Sequence, residues 1–140
     1  MHKIQFINFP SIALDPQHLI LWLEDLCVHF NVSIEQFAVH FIGKDKMLEM
    51  NQKYLNHDTH TDILTFDYGN QQVINAELFV SEYMCGLNAV ENAQSIEKET
   101  LRLISHGFLH TIGFSDKKSE DKILMAEQED RCLQMFHVKQ

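Results

Sequence analysis

Apolar and polar residues alternate over 4–9 and again at Phe37, Val39 and Phe41, the period-two pattern of half-buried strands, with Gly43 closing the second run. Between them Leu19, Leu23, Leu26, Cys27 and Phe30 recur at helical spacing. Asp15-Pro16 supplies an N-cap and a proline at the first helical position, so a helix is predicted from there to about Phe30. Residues 44–55 carry Met47, Leu48, Met50, Tyr54 and Leu55 and predict a second helix. Residues 62–66 read as a short strand, Gly69-Asn70 as a turn, and 73–80 as its hairpin partner.

The last third of the chain switches to helical periodicity. Ser81 with Glu82 opens a third helix reaching about Ala93. Ser95 caps a fourth, with Glu97 and Glu99 in its first turn, Leu101, Ile104, Phe108 and Leu109 as its apolar stripe, and Gly113 as its stop. A fifth is predicted over 119–136 through Ile123, Leu124, Met125, Cys132, Leu133 and Phe136. The order β-α-β-α-β-β-α-α-α implies an α+β domain with a small mixed four-stranded sheet covered by helices. With 140 residues and no repeat or linker, the expectation is one domain over 1–140.

The candidate chemistry lies at the end of the fourth helix. His106 and His110, four residues apart, share one helix face with Cβ atoms about 5–6 Å apart. Both imidazoles can therefore reach one ion. Nine histidines in 140 residues make some pair at this spacing common by chance, so the pair alone says little. Gly113 adds information, because a break there lets the chain fold back and bring the carboxylate of Asp116 to the same ion. Two His and one carboxylate leave a coordination position open, the pattern of a catalytic metal site, with zinc favoured by ligand type.

Charge narrows the partners. A net charge of −9 from eleven basic and twenty acidic residues excludes a general nucleic-acid coat, so any RNA contact must be local. Three scattered cysteines without a CxxC pair, no signal-peptide pattern and no long apolar run lead to the expectation of a reduced, cytoplasmic protein that does not span a membrane.

Residues 106–116 resemble the signature HGxLHxxGYDH of the YbeY endoribonuclease family through His106, Gly107, Leu109, His110 and Gly113, with Phe114 in place of Tyr. Two further blocks carry the same resemblance. Asn51, Gln52, Lys53, Tyr54 and Asp58 followed by residues 61–66 are similar to LNxxYRxxDxxTDVLSF, and residues 77–81 to GDIxIS. The resemblance implies zincin-like metal geometry with one zinc ion and single-strand endoribonuclease activity. It also implies a role in maturing ribosomal RNA, notably the small-subunit 3′ end, and in ribosome quality control. Implied partners are ribosomal RNA, ribosomal proteins and a ribosome-assembly GTPase, not DNA.

Two positions depart from the family pattern. Its last histidine is Asp116 here, a sound zinc ligand that lowers the site's charge by one. Its arginine, thought to serve catalysis, is Leu55, which cannot hold a phosphate. The catalytic residues therefore stay unassigned, with Lys53, Arg102 and His57 as candidates for the missing positive charge and Lys53 and Arg102 as substrate contacts. Two other readings stand beside the nuclease: a metal-containing ribosome-assembly binding factor, motivated by Leu55, and a metal-dependent peptidase, disfavoured because Gly107 replaces the general-base Glu of HExxH enzymes.

Remaining residues read more plainly. His57 and His60 fall in a polar loop, and His2, His18, His29, His40 and His137 show no ligand spacing. Thr61 and Asp62 brace the entry to their strand, with a cleft position as the alternative. Glu77 is a candidate outer acceptor for a metal-bound histidine. Met125 reads as core, and Glu127, Glu129 and Asp130 as a solvated acidic helix face.

Overall fold

The computed structural model describes residues 3–55 and 61–138. Four strands, β1 (Ile4–Ile7), β2 (Ser33–Ile42), β3 (Ile63–Asp67) and β4 (Val73–Ser81), form one open sheet in the order β1-β2-β4-β3. Five helices accompany them: α1 (Pro16–Phe30), α2 (Lys44–Met50), α3 (Glu82–Glu91), α4 (Ile96–Thr111) and α5 (Ser119–Val138). The β1–β2 and β2–β4 pairs are parallel and β3 runs antiparallel to β4. The sheet is therefore mixed, and the expected α+β architecture and element order are met.

Alternation decides the two faces of the sheet. Phe37, Val39 and Phe41 on β2 and Ile74, Ala76, Leu78 and Val80 on β4 all point into one core with Leu19, Leu23, Leu26, Leu101, Ile104 and Phe108 from the helices. Each large apolar side chain buried there contributes roughly 1.5–3 kcal/mol. Trp22 ties the outer layer together by donating its Nε1–H to the carbonyl of Cys132 at 2.8 Å while stacking edge-on against Phe136. Met125 is buried in the same core, as its pattern predicts. A smaller cluster of Met47, Met50 and Leu64 covers part of the opposite face, with Ile42, Phe66 and Phe79 packed against it.

The caps follow the sequence closely. The Asp15 carboxylate accepts from the Gln17 N–H, Ser81 Oγ from the Met84 N–H, and Ser95 Oγ from the Lys98 N–H. Three boundaries differ from the pattern reading. β1 stops at Ile7 because Asn8 turns into the left-handed region, at φ 58°. β2 starts at Ser33, earlier than expected, because a register shift between Ile34 and Gln36 breaks the alternation there while the pairing with β4 continues. The second predicted helix ends at Met50 and continues as a π-helical turn, Asn51–Leu55. The wider turn rotates Asn51 into the protein and leaves residues 52–55 exposed, a re-phasing invisible to a 3.6-residue pattern.

Candidate metal centre

Helix α4 lies against the β3–β4 half of the sheet, and the fit depends on Gly107. A Cβ at that position would stand 2.8 Å from Leu78 Cγ and 3.1 Å from Ile63 Cδ1. The neighbouring His106 and, one turn on, His110 project from the flank of the helix, toward α5 and the segment after Gly113. Gly113 takes φ 108°, which a residue with a side chain adopts only under strain, and turns the chain back so that Asp116 meets the two rings.

The resulting contacts are close. His106 Nε2 and His110 Nε2 lie 3.0 Å apart, and Asp116 Oδ2 is 3.2 Å from the first and 3.4 Å from the second. The tautomers follow from the opposite ring nitrogens. His106 Nδ1 lies 2.6 Å from Glu129 Oε2, and a carboxylate can only accept, so Nδ1 carries the hydrogen. His110 Nδ1 lies 2.9 Å from the carbonyl oxygen of Phe114, which also only accepts. In the neutral rings both Nε2 atoms therefore present lone pairs to the carboxylate oxygen of Asp116. Three electron-rich atoms converging without a donor call for a cation, and a site of this composition could hold a metal ion. The rings and the carboxylate are half-buried.

Burial of the His106 ring works against its protonation, but the hydrogen bond and charge of Glu129, with the charges of Asp116 and Asp62, outweigh it and raise its pKa above the usual histidine value. A proton and a metal thus compete for the same lone pair.

Glu129 was expected on a solvated face and is instead 7% exposed. Its second oxygen accepts from Arg102 Nη1 at 2.9 Å, while Arg102 Nη2 reaches Asp130 Oδ1 at 2.7 Å. Only the tertiary contact between α4 and α5 reveals this, since Glu129 sits in a run of polar residues with no local mark of burial. The outer acceptor role for which Glu77 was a candidate falls to Glu129. Glu77 lies on the other face of the sheet, 3.0 Å from His40 Nε2, and accepts from the Tyr68 hydroxyl at 3.2 Å.

Arg102 does not present a free cation for substrate, because both of its terminal nitrogens are engaged by carboxylates. Lys53 and Leu55 both lie on the π-helical turn, Lys53 Nζ standing 5.2 Å from the Tyr54 ring and Leu55 43% exposed. Asp62 accepts from Asn88 Nδ2 at 3.0 Å and thereby ties the start of β3 to α3. His57, His60 and Asp58 lie outside the described residues.

Fold and site together define an α+β protein with a His-His-Asp cluster able to hold a metal at the end of a core helix. A family model described as endoribonuclease YbeY matches residues 13–137. An endoribonuclease YbeY from Flavobacterium psychrophilum is 37% identical over 121 residues, 86% of each chain. One from Flavobacterium johnsoniae is 37% identical over 138 residues, covering 96% of this chain and 99% of its own. The solution structure of TM1509 from Thermotoga maritima superposes with a TM-score of 0.66 at 26% identity, over 97% of this chain and 90% of that one. The chain belongs to the YbeY family of endoribonucleases, hydrolases that act in ribosomal RNA maturation.

Proposed function

We propose that this protein is a metal-dependent endoribonuclease that cuts single-stranded ribosomal RNA, with the small-subunit 3′ end as its site of action and a further role in ribosome quality control. The observation that carries the metal requirement is the convergence of His106 Nε2, His110 Nε2 and Asp116 Oδ2, three acceptors facing one another. Zinc suits this donor set. A divalent ion held there would supply Lewis-acid polarisation at a phosphodiester. The protein's own contribution is to fix both imidazoles in the Nδ1–H tautomer through Glu129 and the Phe114 carbonyl, and to hold Asp116 on their common face behind the Gly113 turn.

The acidic chain restricts RNA contact to a local patch, with Lys53 on the π-helical turn as the proposed phosphate contact. Ribosomal proteins and a ribosome-assembly GTPase are the proposed partners, in the cytoplasm, with the whole chain acting as one domain. No helix among the described residues is long and apolar enough to cross a membrane. A second reading, a metal-containing ribosome-assembly binding factor with weak or no nuclease activity, rests on Leu55, an exposed apolar side chain where the family pattern has arginine. A peptidase is disfavoured, because Gly107 offers no general base and packs against Leu78 and Ile63.

The test is cleavage of a single-stranded ribosomal RNA fragment by purified protein, with and without chelator, followed by zinc add-back and repeated with His106→Ala. Cleavage that disappears with chelator, returns with zinc and is absent in the variant supports the nuclease. Zinc uptake without any cleavage supports the assembly factor.

A further inference from the structure

We infer that Glu129, anchored by Arg102, is the positioning residue for His106, holding the ring so that its Nε2 lone pair faces the site shared with His110 and Asp116. The inference rests on the metal-centre reading above and extends it to a residue on a different helix. Four observations carry it. The Glu129 carboxylate is buried, so its charge is not dispersed by water. Its Oε2 lies 2.6 Å from His106 Nδ1, the shortest polar contact of either ring among the described residues. Its Oε1 is occupied by Arg102 Nη1 at 2.9 Å, so the carboxylate cannot swing away without breaking a charge-assisted bond. Arg102 is in turn fixed by Asp130 at 2.7 Å.

The two ligand histidines are thus braced differently. His110 leans on a neutral backbone carbonyl from its own segment, and His106 on a charged side chain delivered by α5. A carboxylate behind an imidazole fixes the tautomer, orients the ring and makes the opposite nitrogen a stronger donor. Arg102 prevents Glu129 from being a buried, unpaired charge, which a site of this burial tolerates poorly. The Arg102–Asp130 pair adds a second tie between α4 and α5 to the same brace.

The experiment combines zinc affinity, by competition with a chromophoric chelator, with the His106 tautomer, by imidazole nitrogen NMR of the metal-free protein at alkaline pH. Wild type should show the hydrogen on Nδ1 of neutral His106. Glu129→Ala should lose that tautomer preference and bind zinc about 10–100-fold more weakly. Glu129→Gln keeps one acceptor oxygen and should stay closer to wild type than the alanine variant. Arg102→Met, which leaves Glu129 present but unheld, should also weaken zinc binding. Wild-type affinity in Glu129→Ala, or an Nε2–H tautomer in wild type, overturns the positioning role. Wild-type affinity in Arg102→Met overturns the anchor. If wild type itself takes up no zinc, the metal-centre reading fails, while the tautomer of His106 in wild type and Glu129→Ala still decides whether Glu129 positions the ring.

Discussion

Asp116 is where the site departs from its family's pattern and where single-residue chemistry matters most. Removing its carboxylate leaves two imidazoles, so Asp116→Ala should bind zinc at least tenfold more weakly, whereas Asp116→His should retain the ion because imidazole is an equally good ligand. Chelator competition on the three proteins checks this, and equal affinity in Asp116→Ala would remove it from the ligand set. Leu55 invites the opposite change. Leu55→Arg puts a positive charge on the exposed π-helical turn next to Lys53, and ribonuclease activity should rise several-fold at unchanged zinc content. No rise would favour the assembly-factor reading. Glu99 shows what burial does to a carboxyl that no metal needs. Burial raises its pKa, with Asp62 and Glu129 adding to the shift and Asn88 and Arg102 opposing it. Its folded value therefore lies above its unfolded one, so its stabilising contribution is present below the unfolded value and is lost as pH rises through the folded value. Glu99→Gln should consequently raise Tm at neutral pH, with the gain shrinking in acid. A pH series of melting curves reads both.

Helix α4 is a packing element and a ligand platform at once. Its buried face carries Leu101, Ile104 and Phe108, and its other side offers the two histidines one turn apart. Gly107 lets these requirements coexist. Gly107→Ala gains helix propensity worth about 1 kcal/mol, but it drives a methyl group into Leu78 and Ile63, and overpacking typically costs about 1–3 kcal/mol. Net destabilisation is expected in urea titration, together with weaker zinc binding as the helix lifts and carries His106 with it. An unchanged midpoint would show that the sheet yields at a cost no larger than the propensity gain. The Gly113 turn, the Ser95 cap and the Asp15-Pro16 start were all legible in the chain because each is a local device, set by residues within one turn of one another. The π-helical turn and the bulge in β2 were not. Both shift the phase of a hydrophobic pattern by a residue, and pattern reading assumes a constant phase.

Taken whole, the molecule closes its site by docking α5 on α4 and α1, through contacts such as Trp22 with Cys132 and Phe136. Because the ligands come from α4 and the segment following it, and the brace of His106 from α5, an ion bound only by the folded state must stabilise the fold. At free zinc 100-fold above Kd the gain is about 2.7 kcal/mol, or a rise in Tm on the order of 10 °C for a chain of this length. Chelator should reverse it, and a melting temperature indifferent to zinc would argue against a site preformed in the native state.

Element order, helix caps and the α+β class are readable from the chain alone, as is the cluster of His106, His110 and Asp116 that could hold a metal. Those depend on periodicity, on short-range hydrogen bonding and on a spacing that a helix and one glycine convert directly into proximity. That Glu129 lies behind His106, that Arg102 is spent on Glu129 and Asp130, and that Glu77 belongs with His40 on the other face of the sheet emerges from the packing alone. A charged residue carries no local sign of whether it will be solvated or buried. That depends on which helix packs against which, and the partners of Glu129 stand 23 and 27 positions away in the chain.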